Sequence, residues 1–503
     1  MFLRRKKNKS GVISVQVIDK STGRYRLLKT IGSSSEASEI NDLVLRGEEW
    51  IKNQRRQVEL DFQNEHKVFS DFINGIQRID VAGTELLLGK LFDDIGFNKI
   101  KDDLFKRLVL ARLCFPSSKL KTTELLERYH SFGIDVDVIY RYMDKLFNTQ
   151  KQIVQDISYQ HTLKIFDSQL SIVFYDVTTL YFEIDNEDEL RKTGFSKDGK
   201  HQHPQIVLGL LVSLDGYPLA YDLFEGNKFE GHTMLPVIEA FKEKYKLTQL
   251  VIVADSGLMS NENIEQLNDK GYEYILGARI KNESADITKK ILNLKLKNGA
   301  CAIIKKGKRM RLIVSYSTSR AKKDKANRDK GIRKLEKQIQ SGRLTKTQIN
   351  NKGYNKFLKL EGEIKISIDQ DKLKAASKWD GLKGYNTNTK LSGQKIIENY
   401  KHLWRIEKAF RISKTDLKIR PIFHRLERRI QAHICIAFVA YKVYKELERQ
   451  LKEKKSELSP ERAIDIAKAI YSINVVTPLN KEHITKVVLL TVEQKNLAAL
   501  FHF

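Results

Sequence analysis

Ser171-Ile172-Val173-Phe174-Tyr175-Asp176 and Leu250-Val251-Ile252-Val253-Ala254-Asp255 are two short apolar runs that each end in an aspartate. Runs of this length, rich in β-branched and aromatic residues, read as buried strands. Between them Leu180-Tyr181-Phe182-Glu183 reads as a second strand and residues 206–212 as a third. Asp215-Gly216 makes the turn into a fourth, over residues 217–224. A helix is expected near 232–245, and residues 272–277 add another strand. Strands alternating with helices, and apolar on both faces, predict an α/β sheet covered on both sides. Where a strand ends the backbone opens, and sites in such sheets lie at those carboxyl ends. Asp176 and Asp255 are therefore candidates for one site. Their mutual repulsion calls for a cation between them, and Mg²⁺, with Mn²⁺ as a substitute, suits carboxylate, water and phosphate oxygens. A single strand-ending Asp is more simply the start of a turn; two in one basic protein are not so easily dismissed.

Further along, residues 392–414 carry the pattern of one long amphipathic helix. Tyr400, Glu407, Arg411 and Lys414 fall at offsets of 0, 7, 11 and 14, along one face, with Leu403 and Trp404 in the same stripe. A Glu in an apolar and cationic stripe is poorly placed for a structural role. It makes sense as a third metal ligand if this helix packs on the sheet, and Arg411 and Lys414 then lie where they can pair with phosphates. Taken without the strands, Glu407 would be an ordinary i,i+4 partner of Arg411.

Composition points the same way. The 503 residues are too many for one core and imply two to four domains. Ninety Lys and Arg against 63 Asp and Glu give a net charge of +27, which suits a polyanionic partner, nucleic acid before a membrane surface. From Arg320 to Leu360 there are 14 Lys and Arg against three acids, a surplus that reads as a solvated face or as a DNA-backbone surface. Cys114, Cys301 and Cys435 stand apart, so neither a zinc ribbon nor a disulfide framework is supported, as fits a reducing cytoplasm. The basic N-terminus lacks the apolar stretch of a signal peptide, and no apolar run is long enough to span a membrane.

The remaining segments suggest an order of domains. Residues 11–30 alternate about Lys20-Ser21-Thr22-Gly23 as a β-hairpin, and a polar helical pattern runs from Ser35 to about 65; together they make an N-terminal region of 1–75. Residues 76–165 read as helical. Within them 118–130 and 135–146, parted by Gly133, resemble a helix-turn-helix whose second helix offers Arg141 and Lys145, flanked by Tyr140 and Tyr142, to DNA; an ordinary helical hairpin fits equally well. A first part of the sheet domain follows at 166–280. Residues 281–389 break its rhythm, 390–452 return to it, and 453–503 form a helical tail.

Several motifs carry a family resemblance. Tyr400, Glu407 and Lys414 reproduce the Tyr…Glu…Lys spacing of bacterial insertion-sequence transposases of the insertion-sequence-four type, members of the DDE class with an RNase H-like catalytic domain. Tyr175-Asp176-Val177-Thr178-Thr179-Leu180, Gly194-Phe195-Ser196-Lys197-Asp198, Gly226-Asn227, Ala254-Asp255-Ser256-Gly257, Trp404-Arg405-Ile406-Glu407 and Arg420-Pro421-Ile422-Phe423-His424 are similar to the family in order and spacing, over about residues 170–450. The family's Arg three residues after the Tyr is here Leu403, with Arg405 nearby.

The resemblance implies a mixed RNase H-like sheet with flanking helices, split by an insertion domain at 281–389, and a mainly helical N-terminal DNA-binding region. It implies Asp176, Asp255 and Glu407 as catalytic metal ligands and Tyr400, Arg405, Arg411, Lys414 and Arg420 as DNA contacts. It also implies double-stranded transposon ends and target DNA as partners, at least a homodimer in the synaptic complex, and a cytoplasmic, nucleoid-associated place of action. The chemistry expected is two-metal phosphoryl transfer. The same acids would serve a nuclease that hydrolyses without joining, and a silent DNA-binding derivative is the third alternative.

Overall fold

A computed structural model describes residues 1–55, 69–166, 170–184, 186–196, 199–258, 260–307, 309–342, 344, 349–350, 352–361, 365–477 and 481–503. The chain forms two compact units, one of Met1–Gln77 with Val475–Ile484, the other of Arg78–Asn474 with Thr485–Phe503.

In the first unit β1 (Phe2–Lys7), β2 (Ile13–Asp19) and β3 (Arg26–Ser34) make an antiparallel sheet in the order β1-β2-β3. The expected hairpin is β2–β3, and β1 adds a strand that the sequence pattern did not suggest. Helix α1 (Ala37–Arg55) packs on one face of the sheet; the rest of the helix expected to about 65 lies outside the described residues.

The second unit is built on an eight-stranded mixed sheet. After β4 (Ile76–Val81), its strands are β5 (Ile172–Tyr181), β6 (Gln205–Ser213), β7 (Pro218–Glu225), β8 (Val251–Ala254), β9 (Glu273–Ala278), β10 (Cys301–Lys306), β11 (Met310–Tyr316) and β14 (Leu382–Thr387), in the order β10-β11-β14-β9-β8-β5-β6-β7. β8 runs parallel to both β5 and β9; the other pairings are antiparallel. Alternation along β5 separates two cores. Val173, Tyr175 and Val177 face the helices Met234–Tyr245 and Asn261–Asp269, while Phe174 and Leu180 face a larger helical layer.

Residues 281–389 do not fold apart from this sheet. Three of their strands extend it, because β14 pairs with β9. The basic segment is in part a 23-residue helix, Thr318–Gln340, and β12 (Leu358–Glu361) pairs with β13 (Lys365–Ile368) beyond it.

The larger layer centres on the helix Glu427–Glu453, buried almost all round from Ile430 to Glu448, as a helix in the middle of a core must be. Against it lie Asp103–Cys114, Val136–Ile165 and Trp404–Thr415. The helix expected at 135–146 thus runs on to Ile165, and its second half packs into the domain. Tyr140 and Tyr142 also turn inward, while Arg141 and Lys145 are exposed. The tail is not purely helical: β15 (Tyr471–Val476) and β16 (His483–Val488) lie between helices Pro460–Lys468 and Val492–Phe501. No helix among the described residues is long and apolar enough to cross a membrane.

Candidate active site

Tyr175 on β5 stands opposite Ala254 on the parallel neighbour β8. The next residue on each chain is an acid. Laterally paired residues of a parallel ladder share a face, and neighbouring strands lie about 4.8 Å apart. Asp176 and Asp255 therefore leave the sheet on one side, the side of Phe174 and Val253.

Only Asp255 ends its strand, however. β5 continues to Tyr181, so the expected strands at 171–176 and 180–183 are one, held straight by β6, with Asp176 opposite Leu210. What stops at Asp176 is the parallel ladder to β8. Asp176 is half-buried and Asp255 exposed, a wetter setting than apolar runs suggested. A fourth carboxylate, Glu230, lies beside the Asp255 turn: its Oε2 is 3.7 Å from where a Cβ on Gly257 would stand.

The expected long helix is two, Gly393–Lys401 and Trp404–Thr415. At His402 and Leu403 the backbone tightens to i→i+3 bonds, with Leu403 N–H donating to Tyr400 O at 3.1 Å and Ile406 N–H to Leu403 O at 3.1 Å.

The first helix delivers Tyr400. Its hydroxyl donates to Asp255 Oδ1 at 2.9 Å, and its ring packs edge-on against Tyr385 at 4.8 Å. Burial and then the Asp255 charge push the phenol above its ordinary pKa, so it stays a donor. Gly277 on β9 makes this possible, because a Cβ there would stand 2.5 Å from Tyr400 Oη and 3.3 Å from Asp255 Oδ1.

The second helix buries Ile406, Ala409, Phe410 and Ile412 and packs on β5. Glu407 and Arg411 stay exposed, as does Trp404 at 52%, which is outside the apolar stripe assigned to it. Lys408, next to Glu407, pairs with Glu448 of the long helix and fixes this segment.

The structure adds a residue that the sequence reading missed. Lys383 on β14 holds its Nζ 4.5 Å from the centre of the Tyr400 ring. Burial, then Arg320, lowers its pKa, while Asp255 and Glu407 pull the other way, so both acids act on this ammonium. It lines a cavity of about 500 Å³ together with Arg320, Tyr385, Ile397 and Lys401. Its signal in the sequence was a Lys between Leu382 and Gly384, within the segment read as an insertion.

The expected DNA contacts fare unequally. Tyr400 is 5% exposed and engaged with Asp255. Arg405 donates to Leu214 O and to Asp215, and so ties its helix to the β6–β7 turn. Arg411 is exposed and Lys414 half-buried, and the Arg420 guanidinium lies 5.9 Å from the Tyr181 ring centre. Arg141 donates to Asp137 O on its own helix at 3.4 Å. Lys197 and Asp198 lie outside the described residues.

Two carboxylates that leave the sheet on one side, as Asp176 and Asp255 do, suit a hard divalent cation. Among the described residues no three His, Cys, Asp or Glu side chains converge closely enough to enclose an ion by themselves. A cation that takes one or two carboxylates and completes its shell with water and phosphate oxygens needs no such cage.

A family model described as a transposase DDE domain matches residues 167–442, more than half of the chain. No curated protein matches. Among solved structures, the chain is similar to a piggyBac transposase synaptic complex with hairpin DNA, at 8% identity over 80% of this chain and 79% of that one, with a TM-score of 0.40. It is also similar to a Mos1 transposase paired-end complex with left transposon end, at 12% identity over 34% of this chain and 56% of that one, with a TM-score of 0.16. A Mos1 mariner paired-end complex with Mn aligns at 12% identity over 31% and 54%, with a TM-score of 0.15.

Proposed function

The chain belongs to the DDE transposases, and from that premise we propose that it binds the terminal inverted repeats of an insertion sequence of the insertion-sequence-four type, cleaves the ends and joins them to target DNA. Asp176, Asp255 and Glu407 are its catalytic acids. The observation that carries this reading is the Tyr175–Ala254 pair, which sets two acids side by side, together with the Tyr400–Asp255 bond, which ties the Glu407 segment to the same edge.

The three carboxylates would hold Mg²⁺, or Mn²⁺ in its place. When bound, the ions supply a lowered pKa for the attacking water or 3′-hydroxyl and charge stabilisation for the leaving oxygen. The chain's own share is positioning and neutralisation. Tyr400 orients Asp255. The Trp404–Thr415 helix, clamped through Lys408 and Arg405, presents Glu407. Lys383, Arg320 and Lys401 take the phosphates of the strand that enters the adjoining cavity, and Arg411 and Lys414 serve the other side. The order of the sheet, three antiparallel strands followed by two parallel ones with acids at the junction, supports an RNase H-like core. Two copies meet in the synaptic complex, one for each DNA end.

A strand-transfer assay tests the reading. Labelled, pre-cleaved end duplexes are incubated with a supercoiled plasmid and Mg²⁺. Covalent joining of ends to plasmid is expected; cleavage of DNA without joining would make the chain a nuclease instead.

A further inference from the structure

The charge of the first unit is divided between its two layers. Residues 1–34, the three strands and their turns, carry nine Lys and Arg against one acid, Asp19. Residues 36–55, the helix, carry five acids against three bases. By register Arg4 and Lys6 stand on the face away from the helix, while Arg5 and Lys29 stand on the helix side, Lys29 Nζ lying 5.5 Å from the centre of the Trp50 ring; the sheet as a whole attracts a polyanion.

The two faces are defined by register. α1 covers the face of Leu3, Val15 and Val17: a Cβ on Gly47 would meet Leu3 Cδ2 at 2.5 Å, and one on Gly32 would meet Leu43. The other face carries the alternate residues in rows across the strands. Arg4, Gln16 and Thr30 form one row, and Lys6, Ser14 and Ser33 the next. The side chains confirm the pairing, since Arg4 Nη2 donates to Gln16 Oε1 at 2.8 Å and the Ser14 and Ser33 hydroxyls are 2.7 Å apart. A third row, Phe2, Ile18 and Leu27, is apolar: Ile18 is buried, and Phe2 and Leu27 flank it at 41% and 50% exposure.

We propose that this sheet face reads the base sequence of double-stranded DNA from the major groove. A groove roughly 12 Å wide admits a two-stranded ribbon, here the β1–β2 pair that carries Arg4 and Gln16, with β3 about 4.8 Å further out at its lip. The chemistry of the accessible side chains is that of direct readout: Arg4 for guanine O6 and N7, Gln16 for adenine N6 and N7, the Thr30 and Ser33 hydroxyls for either, and Phe2 and Leu27 for thymine methyls. Lys20, which lies over the Tyr25 ring at 5.2 Å, and Arg24 sit on the β2–β3 turn, where they meet phosphates and fix register. Recognition of the DNA end would then rest on strands, in place of the helix-turn-helix anticipated at 118–146. The inference rests on the transposase reading above for the identity of the DNA.

The test uses the full chain and two duplexes: one from the DNA bordering the coding region, and one of the same composition with its bases shuffled. Arg4→Ala combined with Gln16→Ala should lower the preference for the end duplex by about 10-fold or more, while binding to the shuffled duplex changes less than about 3-fold. Arg46→Ala, which removes the same charge from the helix layer, should leave the preference unchanged. Guanine N7 atoms that the wild type protects from dimethyl sulfate should become reactive with the double variant. Wild-type preference and protection in the double variant would overturn the sheet inference and leave the transposase reading standing. A wild-type chain that joins ends to plasmid yet shows no preference between the duplexes would overturn it too. One that neither prefers nor joins the ends would overturn both.

Discussion

The hydroxyl of Tyr400 donates to Asp255 Oδ1 at 2.9 Å, across 145 residues of sequence. One hydrogen bond thereby joins the helix pair that carries Glu407 to the turn that carries the second aspartate. A donor on one oxygen leaves the other free for a cation and fixes the carboxylate plane. Tyr400→Phe keeps the ring and its packing and removes only that donor. A bond to an ionised group is worth about 1.5–3 kcal/mol, so single-turnover cleavage should slow by about 10–100-fold, with a higher Mg²⁺ requirement and DNA affinity within about 3-fold of wild type.

Gly277 is the point where β9, Tyr400 and Asp255 meet. Gly277→Ala would put a methyl 2.5 Å from Tyr400 Oη and force the tyrosine away. The aromatic side chain cannot bend at its tip, so the displacement passes to the Gly393–Lys401 helix. Cleavage should fall at least as far as in Tyr400→Phe, and thermal denaturation should show a loss of about 1–3 kcal/mol, the usual cost of overpacking.

Lys383 carries a pKa lowered first by burial and then by Arg320. The unfolded chain holds that proton more readily than the folded one, so this residue's contribution to stability rises with pH. Its contribution to phosphate binding has the opposite sign and is lost as pH climbs through the lowered value, before ordinary lysines discharge. End-duplex affinity should therefore weaken on the alkaline side. Lys383→Arg, always charged, should flatten that limb, and Lys383→Ala should remove it with an affinity loss at neutral pH.

Glu448 anchors the Glu407 helix through Lys408. Burial disfavours its charge, but Lys445 and Lys408 outweigh burial and hold its carboxyl at about 2. This folded-state value lies below the unfolded one. The stabilisation is thus complete above the ordinary carboxylate range and is lost as pH falls from about 4.5 to about 2. Glu448→Ala leaves two ammonium groups facing each other at a buried site and should cost about 3 kcal/mol at neutral pH. Thermal melts between pH 2 and 7 would show the variant's acid limb flattened in that window.

The apolar runs before Asp176 and Asp255 were enough to read the central strands, because a buried parallel strand announces itself as a continuous hydrophobic stretch. The same rule divided β5 in two, since Asp176 interrupts the run chemically without interrupting the ladder to β6. Periodicity found the helix of Glu407 but not its break at His402–Leu403, where both residues keep helical dihedrals and no Gly or Pro marks the change. Strands β10, β11 and β14 were assigned to an insertion because they join the sheet only through the pairing of β14 with β9, between residues about a hundred positions apart, a relation that local pattern does not carry. Arg405 was read as a DNA contact because it stands beside the family's Arg position, and its pairing with Asp215, 190 residues away, is not visible in local sequence. Lys383 was hidden for the same reason, as its neighbours Tyr400 and Asp255 come from other elements.

The three acids can be tested together by isosteric substitution. Asp176→Asn, Asp255→Asn and Glu407→Gln keep shape and remove charge, and cleavage of an end duplex in Mg²⁺ can be measured beside binding of the same duplex by each variant. Each substitution should reduce cleavage by about 10³-fold or more while end-duplex affinity stays within about 3-fold of wild type. Cleavage at the wild-type rate by any one of them would contradict the assignment of that residue to the catalytic centre.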